Sequence, residues 1–537
     1  MPKTRDEGAS QSGEGETIDT AGVASDAGTQ NLGAVVPPRP SIISSTRWLF
    51  AGSTVSRPVQ FLNNVVLARV LGPSNLGAVA LANSAAVTFS GIVSLGVGDT
   101  TTKVLAEHFR RDPARGTALA SFLIWFSIGL SSCAFCVLWL LRPWWQASVF
   151  PAPTPDALIV LSLVLGWFNL LSALMNNAFA GVQLFRDTTI MGTLQIFLIA
   201  VCSIVLAFAF GPVGAVLGYL VATAAYAIVA LLRLRAFRPE LLSRPRLPNR
   251  AELGAIVAFA LPQWAWALLS GPLTTLCFVL LAAQPGGVRA LGVFNTANGA
   301  KMVIALLPAL LANVINPAIL EEGGRHGKPE ELRKLMRKSY VALRFLALPS
   351  LAFVLFGSDL IFKLYGRSYE AAPVVFLPLA ASAAITVFCL PTQYAVVATG
   401  KVWWNLIAGA LQQICLYLCA RWWVHDYLAN GLAWAFFASQ MVFLFFHFEV
   451  AVRLRAVAPT FRKMNYWFAA VVCALLAAGC YTPAALRPVI ALPMGLFCAV
   501  ILLRLHNEIS EWIGAALPAI VKKQWHWISA LAMKSSS

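Results

Sequence analysis

The chain has 537 residues, of which 58% are hydrophobic and 12% charged, against roughly 45–50% and about 25% in soluble domains. Forty Lys and Arg outnumber twenty-three Asp and Glu, for a net charge of +17. A basic nucleic-acid module carries its charge on a polar surface, whereas here the basic residues separate apolar runs. Composition therefore excludes an ordinary water-soluble protein and a nucleic-acid partner, and predicts an all-α polytopic membrane protein surrounded by the lipid bilayer.

In chain order, residues 1–40 form a Gly-, Ser- and acid-rich tract without the apolar core of a secretory signal, the composition of a disordered cytoplasmic tail. A crossing needs about 20 apolar residues. Breaking the apolar runs at charge, Pro and Gly clusters predicts fourteen spans near 47–70, 76–97, 116–141, 157–182, 188–210, 213–232, 252–282, 291–319, 339–363, 371–398, 402–423, 428–450, 465–481 and 488–504. The ten cysteines lie mostly inside these runs, and Cys133 and Cys136 have no second pair to complete a metal or redox site.

Placing both termini on one side collects 31 of the forty basic residues there, leaving Arg69, Arg142, Arg289, Lys363, Arg367, Arg421 and Arg487 opposite and Arg57 and Lys301 inside spans. By the positive-inside bias the richer side is cytoplasmic. Tryptophans such as Trp144, Trp145, Trp403 and Trp404 fall near span ends, at the headgroup level that suits them. The stretch 101–112, with Lys103 four residues from both Asp99 and Glu107, reads as a helix lying on the inner leaflet with local ion pairs.

Span 2 opens with Leu76-Gly77-Ala78-Val79-Ala80-Leu81-Ala82-Asn83-Ser84-Ala85 and span 8 with Leu291-Gly292-Val293-Phe294-Asn295-Thr296-Ala297-Asn298-Gly299-Ala300, identical at five of ten positions. Ser56-Arg57-Pro58 in span 1 likewise has a counterpart, Ser270-Gly271-Pro272 in span 7. The offset spans six helices, so the halves insert the same way round. This predicts two pseudo-symmetric six-helix lobes with the substrate path between them. The expected organisation is a tail over 1–40, an N-lobe over 41–235, a basic cytoplasmic linker over 236–251 and a C-lobe over 252–455. Two additional helices over 456–505 and a cytoplasmic amphipathic tail over 506–537 complete it.

Three segments carry a family resemblance. They are Val66 to Ala78 with its Leu71-Gly72-Pro73 turn, continuing through Leu95-Gly96-Val97-Gly98-Asp99-Thr100-Thr101 into a basic helix; Ala290 to Ala297; and Asp359 to Val374, with Lys363-Leu364-Tyr365-Gly366-Arg367-Ser368-Tyr369. In order and spacing this resembles the polysaccharide flippases of the MOP superfamily. The resemblance implies a fourteen-span, two-lobed transporter that moves polyprenyl-pyrophosphate-linked oligosaccharide from the cytoplasmic to the periplasmic leaflet of a bacterial inner membrane. Other polysaccharide assembly proteins are candidate partners, and no cofactor, metal or catalytic residue is expected. The lipid II flippase branch carries an arginine-rich first span, while here Arg57 stands alone in the middle of span 1. That departure favours an O-antigen, capsule or exopolysaccharide repeat unit as substrate.

A charge within a span costs at least ~2.5 kcal/mol, so it belongs in a wet interior. Arg57 shares its face of span 1 with Gln60, Asn63 and Asn64; Lys301 shares one with Asn295 and Asn298; span 2 adds Asn83, and span 4 adds Asn169 and Asn176. The expectation is a chamber where Arg57 and Lys301 meet the pyrophosphate and the amides meet sugar hydroxyls. The alternative is that Arg57 satisfies carbonyls freed by Pro58 and the amides make interhelical packing bonds. Two rival functions fit the sequence less well. A small-molecule exporter of the same superfamily fits less well, because no carboxylate lies mid-span. A glycan polymerase or glycosyltransferase would need catalytic groups outside the membrane, where the longest loop offers mainly Arg142 and Asp156.

Overall fold

The computed structural model describes residues 42–302 and 329–490, apart from 112, 151–153, 183, 243–244, 399–400, 454–460, 484–485 and 488, together with Ile319 and Pro493. The tails over 1–40 and 506–537 and the fourteenth span therefore lie outside the described residues, apart from Val489, Ile490 and Pro493 of that span. The described elements are helices α1 Ile42–Val93, α2 Val97–Arg111, α3 Pro113–Leu140, α4 Arg142–Val149, α5 Asp156–Gly181, α6 Phe185–Phe237, α7 Arg250–Ala282, α8 Gly287–Ala300, α9 Pro329–Lys363, α10 Ala372–Ala398, α11 Val402–Arg453 and α12 Phe461–Tyr481, with short 3-10 turns at Pro239–Leu242 and Arg367–Tyr369. Seven of the described helices are long and apolar enough to cross a membrane. Helices satisfy their own backbone polar groups, which hydrocarbon cannot do. The chain is an all-α polytopic membrane protein.

The three longest helices each carry a break that returns the chain across the bundle. α1 breaks at Gly72 (φ 70°, ψ 171°), α6 at Gly211 (φ 60°, ψ −137°) and α11 at Leu428 (φ 47°, ψ −125°). Glycine adopts such angles at no steric cost; Leu428 adopts them at a cost of order 1–3 kcal/mol. With these breaks, expected spans 1–7 and 9–13 each coincide with a helix or half of one, and span 8 begins in α8. Pro58 lies within α1 without any break in its helical angles. In α2 Asp99 has no ion-pair partner among the described residues, and the side chain of Glu107, the other carboxylate expected beside Lys103, lies outside those described. The Asp99 carboxyl is pushed up by desolvation, and Lys103 sits over the Phe259 ring at 4.3 Å.

The sequence repeat returns in the packing. A methyl group on Gly77 would overlap the Val288 carbonyl oxygen, and one on Gly292 would overlap that of Pro73. Gly292 stands 215 residues after Gly77, and Val288 the same distance after Pro73, so the two contacts are reciprocal. A second correspondence was not visible in the sequence. Gly214 lies against the Leu206 carbonyl and Gly431 against that of Trp423, each three residues after its helix break. Residues before and after 250 meet chiefly where α1 packs on α7 and α8, with α2 also against α7. Along α7 the second half of α1 uses small and hydroxylic residues. Thr275 Oγ1 lies 2.5 Å from Ser84 Oγ and 2.6 Å from Thr88 Oγ1, and Trp264 Nε1 donates to the Ile92 carbonyl at 2.8 Å. Further along, Gly96 abuts Ala260.

Because neither backbone at the glycine crossing can retreat without moving its helix, Gly77→Ala and Gly292→Ala should each destabilise the purified protein by about 1–3 kcal/mol. The check is thermal unfolding in detergent against Gly129→Ala in α3, where a methyl group meets open space and no loss is expected.

Candidate functional site

The first half of α1 presents three faces. Val55, Pro58, Leu62 and Arg69 are exposed; Ser56, Asn63 and Leu67 are buried; and Arg57, Phe61, Asn64 and Ala68 follow one another at four- and three-residue steps along a third stripe. That third stripe meets the second half of the chain. The Asn64 amide lies against Gly299 of α8, the Phe61 ring makes an edge contact with Tyr365 at 6.1 Å, and the Ala68 carbonyl accepts from the Tyr369 hydroxyl at 3.1 Å. Arg57, two turns before Asn64, stands on the same stripe.

α8 starts at the Gly72 end of the bundle and runs antiparallel to this half of α1. From the level where Asn64 meets Gly299, Lys301 lies about 3 Å and Arg57 about 10 Å further from that end, by the helical rise of 1.5 Å per residue. Lys301 closes α8, its N–H bonded to the Ala297 carbonyl, and its ammonium lies 5.5 Å from the Phe436 ring of α11. Neither Arg57 nor Lys301 has an ion-pair partner among the described residues. A ring beneath a cation returns about 0.5–2 kcal/mol, less than the charge costs inside a span.

The amides divide. Asn63 turns to α6, accepting from Ser203 Oγ at 3.1 Å and hydrogen-bonding Tyr219, and is 6% exposed. Its interactions are packing bonds within the first half of the chain. Asn298 Oδ1 is buried without a partner. Gln60, Asn169 and Asn295 are half-buried, and Asn83 and Asn176 are exposed; their side chains have no hydrogen-bond partner among the described residues. The structure thus brings Asn64 against α8 beside Asn298 and Lys301, leaves Arg57 two turns away on the same stripe of α1, and turns Asn63 to α6. Sequence reasoning passed over Phe436, Ser203 and Tyr219, whose roles arise from neighbours far along the chain. Tyr365 and Tyr369 were visible only as part of a family turn. Among the described residues no group of His, Cys, Asp or Glu could hold a metal, and Arg142 and Asp156 are paired with each other at 2.7 Å.

Against this geometry the comparisons with known proteins are decisive. The profile of the polysaccharide biosynthesis protein family matches residues 42–321, just over half the chain. The chain belongs to this family. It is also 25% identical over 398 residues to the EPS I polysaccharide export inner membrane protein EpsE of Ralstonia solanacearum, covering 72% of this chain and 88% of that protein. Among solved structures, the family member superposes on the lipid II flippase MurJ in an inward closed conformation with a TM-score of 0.65 at 12% identity, over 85% of this chain and 99% of that one. An inward-facing multidrug resistance MATE transporter of the MOP superfamily gives 0.58 at 19% identity, over 74% and 95%. At these identities the likeness is one of fold.

In this polysaccharide biosynthesis protein, Asn63→Ala would remove the Tyr219 hydroxyl's side-chain partner and leave Ser203 only its weaker bond to the Ala200 carbonyl, and should cost about 1–3 kcal/mol of stability. Asn83→Ala, at an exposed and unpartnered amide, should change stability by under about 0.5 kcal/mol. Thermal unfolding of the two variants side by side checks the division.

Proposed function

We propose that this protein is a flippase, not an enzyme, carrying a polyprenyl-pyrophosphate-linked oligosaccharide from the cytoplasmic to the periplasmic leaflet of a bacterial inner membrane. The observation that carries this reading is the pair of intramembrane cations on facing helices, Arg57 on the α1 stripe and Lys301 on α8, set among amides without protein partners. Guanidinium and ammonium groups suit paired phosphate oxygens, and Asn and Gln suit sugar hydroxyls. Family membership and the exopolysaccharide-export relative support a glycan on the lipid, with an O-antigen, capsule or exopolysaccharide repeat unit as its class.

In this reading the segments before and after the 236–251 linker are two lobes that rock about the glycine crossing, with the helices after residue 456 outside the pair. Both termini are cytoplasmic, because 31 of the forty basic residues then lie on the inner side, and the Gly72 end faces the periplasm. Moving a negative headgroup outward follows an inside-negative potential, worth about 2.3 kcal/mol per charge per 100 mV, so transport needs no ATP hydrolysis. A polymerase reading has less support, since the Arg142–Asp156 pair is spent on itself.

Arg57→Gln and Lys301→Gln, each expressed at the normal level, should reduce glycan export at least tenfold and leave lipid-linked repeat units accumulating on the cytoplasmic face. Export at the unmodified rate in both variants would remove the two cations from the mechanism.

A further inference from the structure

The turn joining α9 to α10 belongs to the second half of the chain but closes over the first. Leu364, just beyond the end of α9, offers its carbonyl to Arg69 Nε at 2.6 Å. In return the Tyr369 hydroxyl donates to Ala68, in the last turn of α1 before the Gly72 break. Each segment therefore caps the backbone of the other. Tyr369 is buried to 1% exposure and also hydrogen-bonds Thr296 of α8, so one phenol joins α1, α8 and the turn. Burial pushes that phenol up to about 12, which keeps its proton available for donation at neutral pH. Beneath it Tyr365 lies edge-on to Phe61 of α1.

Among the described residues, the Arg69 and Tyr369 bonds are the side-chain hydrogen bonds that tie α1 to the second half at the Gly72 end. The neighbouring glycine crossing is a close approach of backbone to backbone. We propose that residues 364–369 are a latch: they hold the Gly72 end of the bundle closed, and this end opens by parting the Arg69–Leu364 and Tyr369–Ala68 bonds together. The latch regulates the site assigned above and rests on the flippase reading for what passes through the opening. Both bonds run to neutral backbone carbonyls, which water can replace as they part, and this makes the closure reversible.

The test uses the full chain in lipid nanodiscs, with native cysteines replaced and spin labels attached through Ser74→Cys on the α1 turn and Ser368→Cys on the latch. Tyr369→Phe keeps the ring and removes the donor, and Arg69→Gln removes the guanidinium. Each should raise the ratio of separated to close label populations by roughly fivefold, the effect of losing one modest hydrogen bond, while Glu370→Gln on the neighbouring exposed residue should leave it unchanged. Unaltered distance distributions in both latch variants would overturn the proposal. This readout needs no glycan, so it stands or falls independently of the Arg57 and Lys301 export assay.

Discussion

At Gly77 and Gly292 two helix turns touch backbone to backbone, each glycine under the carbonyl that occupies the other's place in the repeat. In lipid there is no hydrophobic force between helices, because acyl chains are as apolar as leucine; association relies on close packing and hydrogen bonds. A pair of glycines supplies the closest packing available. From this crossing α8 departs antiparallel to the first half of α1, which carries Gly299 to Asn64, while the second half of α1 departs along α7, which carries Ser84 and Thr88 to Thr275. The candidate site is thus positioned by a contact between residues that have no side chains.

That frame explains why two cations can be held inside an apolar bundle. Lys301 gains from the Phe436 ring only part of what its charge costs in hydrocarbon, and Arg57 sits on the stripe of α1 that faces the second half of the chain. Neither is neutralised by a carboxylate among the described residues, in contrast to Arg487, which at 8% exposure bonds Asp359 and the Thr482 carbonyl and so fastens the end of α12 to α9. Buried charges kept for structure carry their counter-charge with them, as Arg487 does. Those left without one are suited to an anion that arrives and leaves.

Much of the architecture was legible in the sequence because hydropathy and chain length constrain a membrane helix so tightly. The Leu71-Gly72-Pro73 turn, the apolar runs that fall on described residues and the match of Leu76–Ala85 with Leu291–Ala300 had direct structural counterparts. The Gly211 and Leu428 breaks fell where the spans were divided, yet their correspondence was hidden because one half uses glycine and the other leucine. Within the site, helical spacing gave the face of each amide but not its neighbour. Asn63 and Asn64 are adjacent in sequence and about 100° apart around the helix, and this alone sends one to Ser203 and Tyr219 and the other to Gly299. Pro58 stays within an unbroken helix, as a proline can in a membrane helix where the freed carbonyls find local adjustment.

The seam between α1 and α7 sets how easily the proposed lobes move. Large interdigitated side chains would have to disengage before one helix could shift against the other. Here the central contacts are hydroxyls, with Thr275 shared between Ser84 and Thr88 one turn apart, so a shift along the seam exchanges one hydroxyl partner for the next and keeps a bond throughout. Beside the seam the Arg115–Glu252 pair ties α3 to α7 and, with Arg115 about half exposed, contributes at most about 1 kcal/mol in such a setting; within the seam Trp264 adds a single bond to the Ile92 carbonyl. Among the described residues, no single side-chain bond along this seam is strong enough to lock the halves together. Registration therefore falls to the glycine crossing, and the equilibrium between closed and open ends is decided by the few side-chain bonds that cap it.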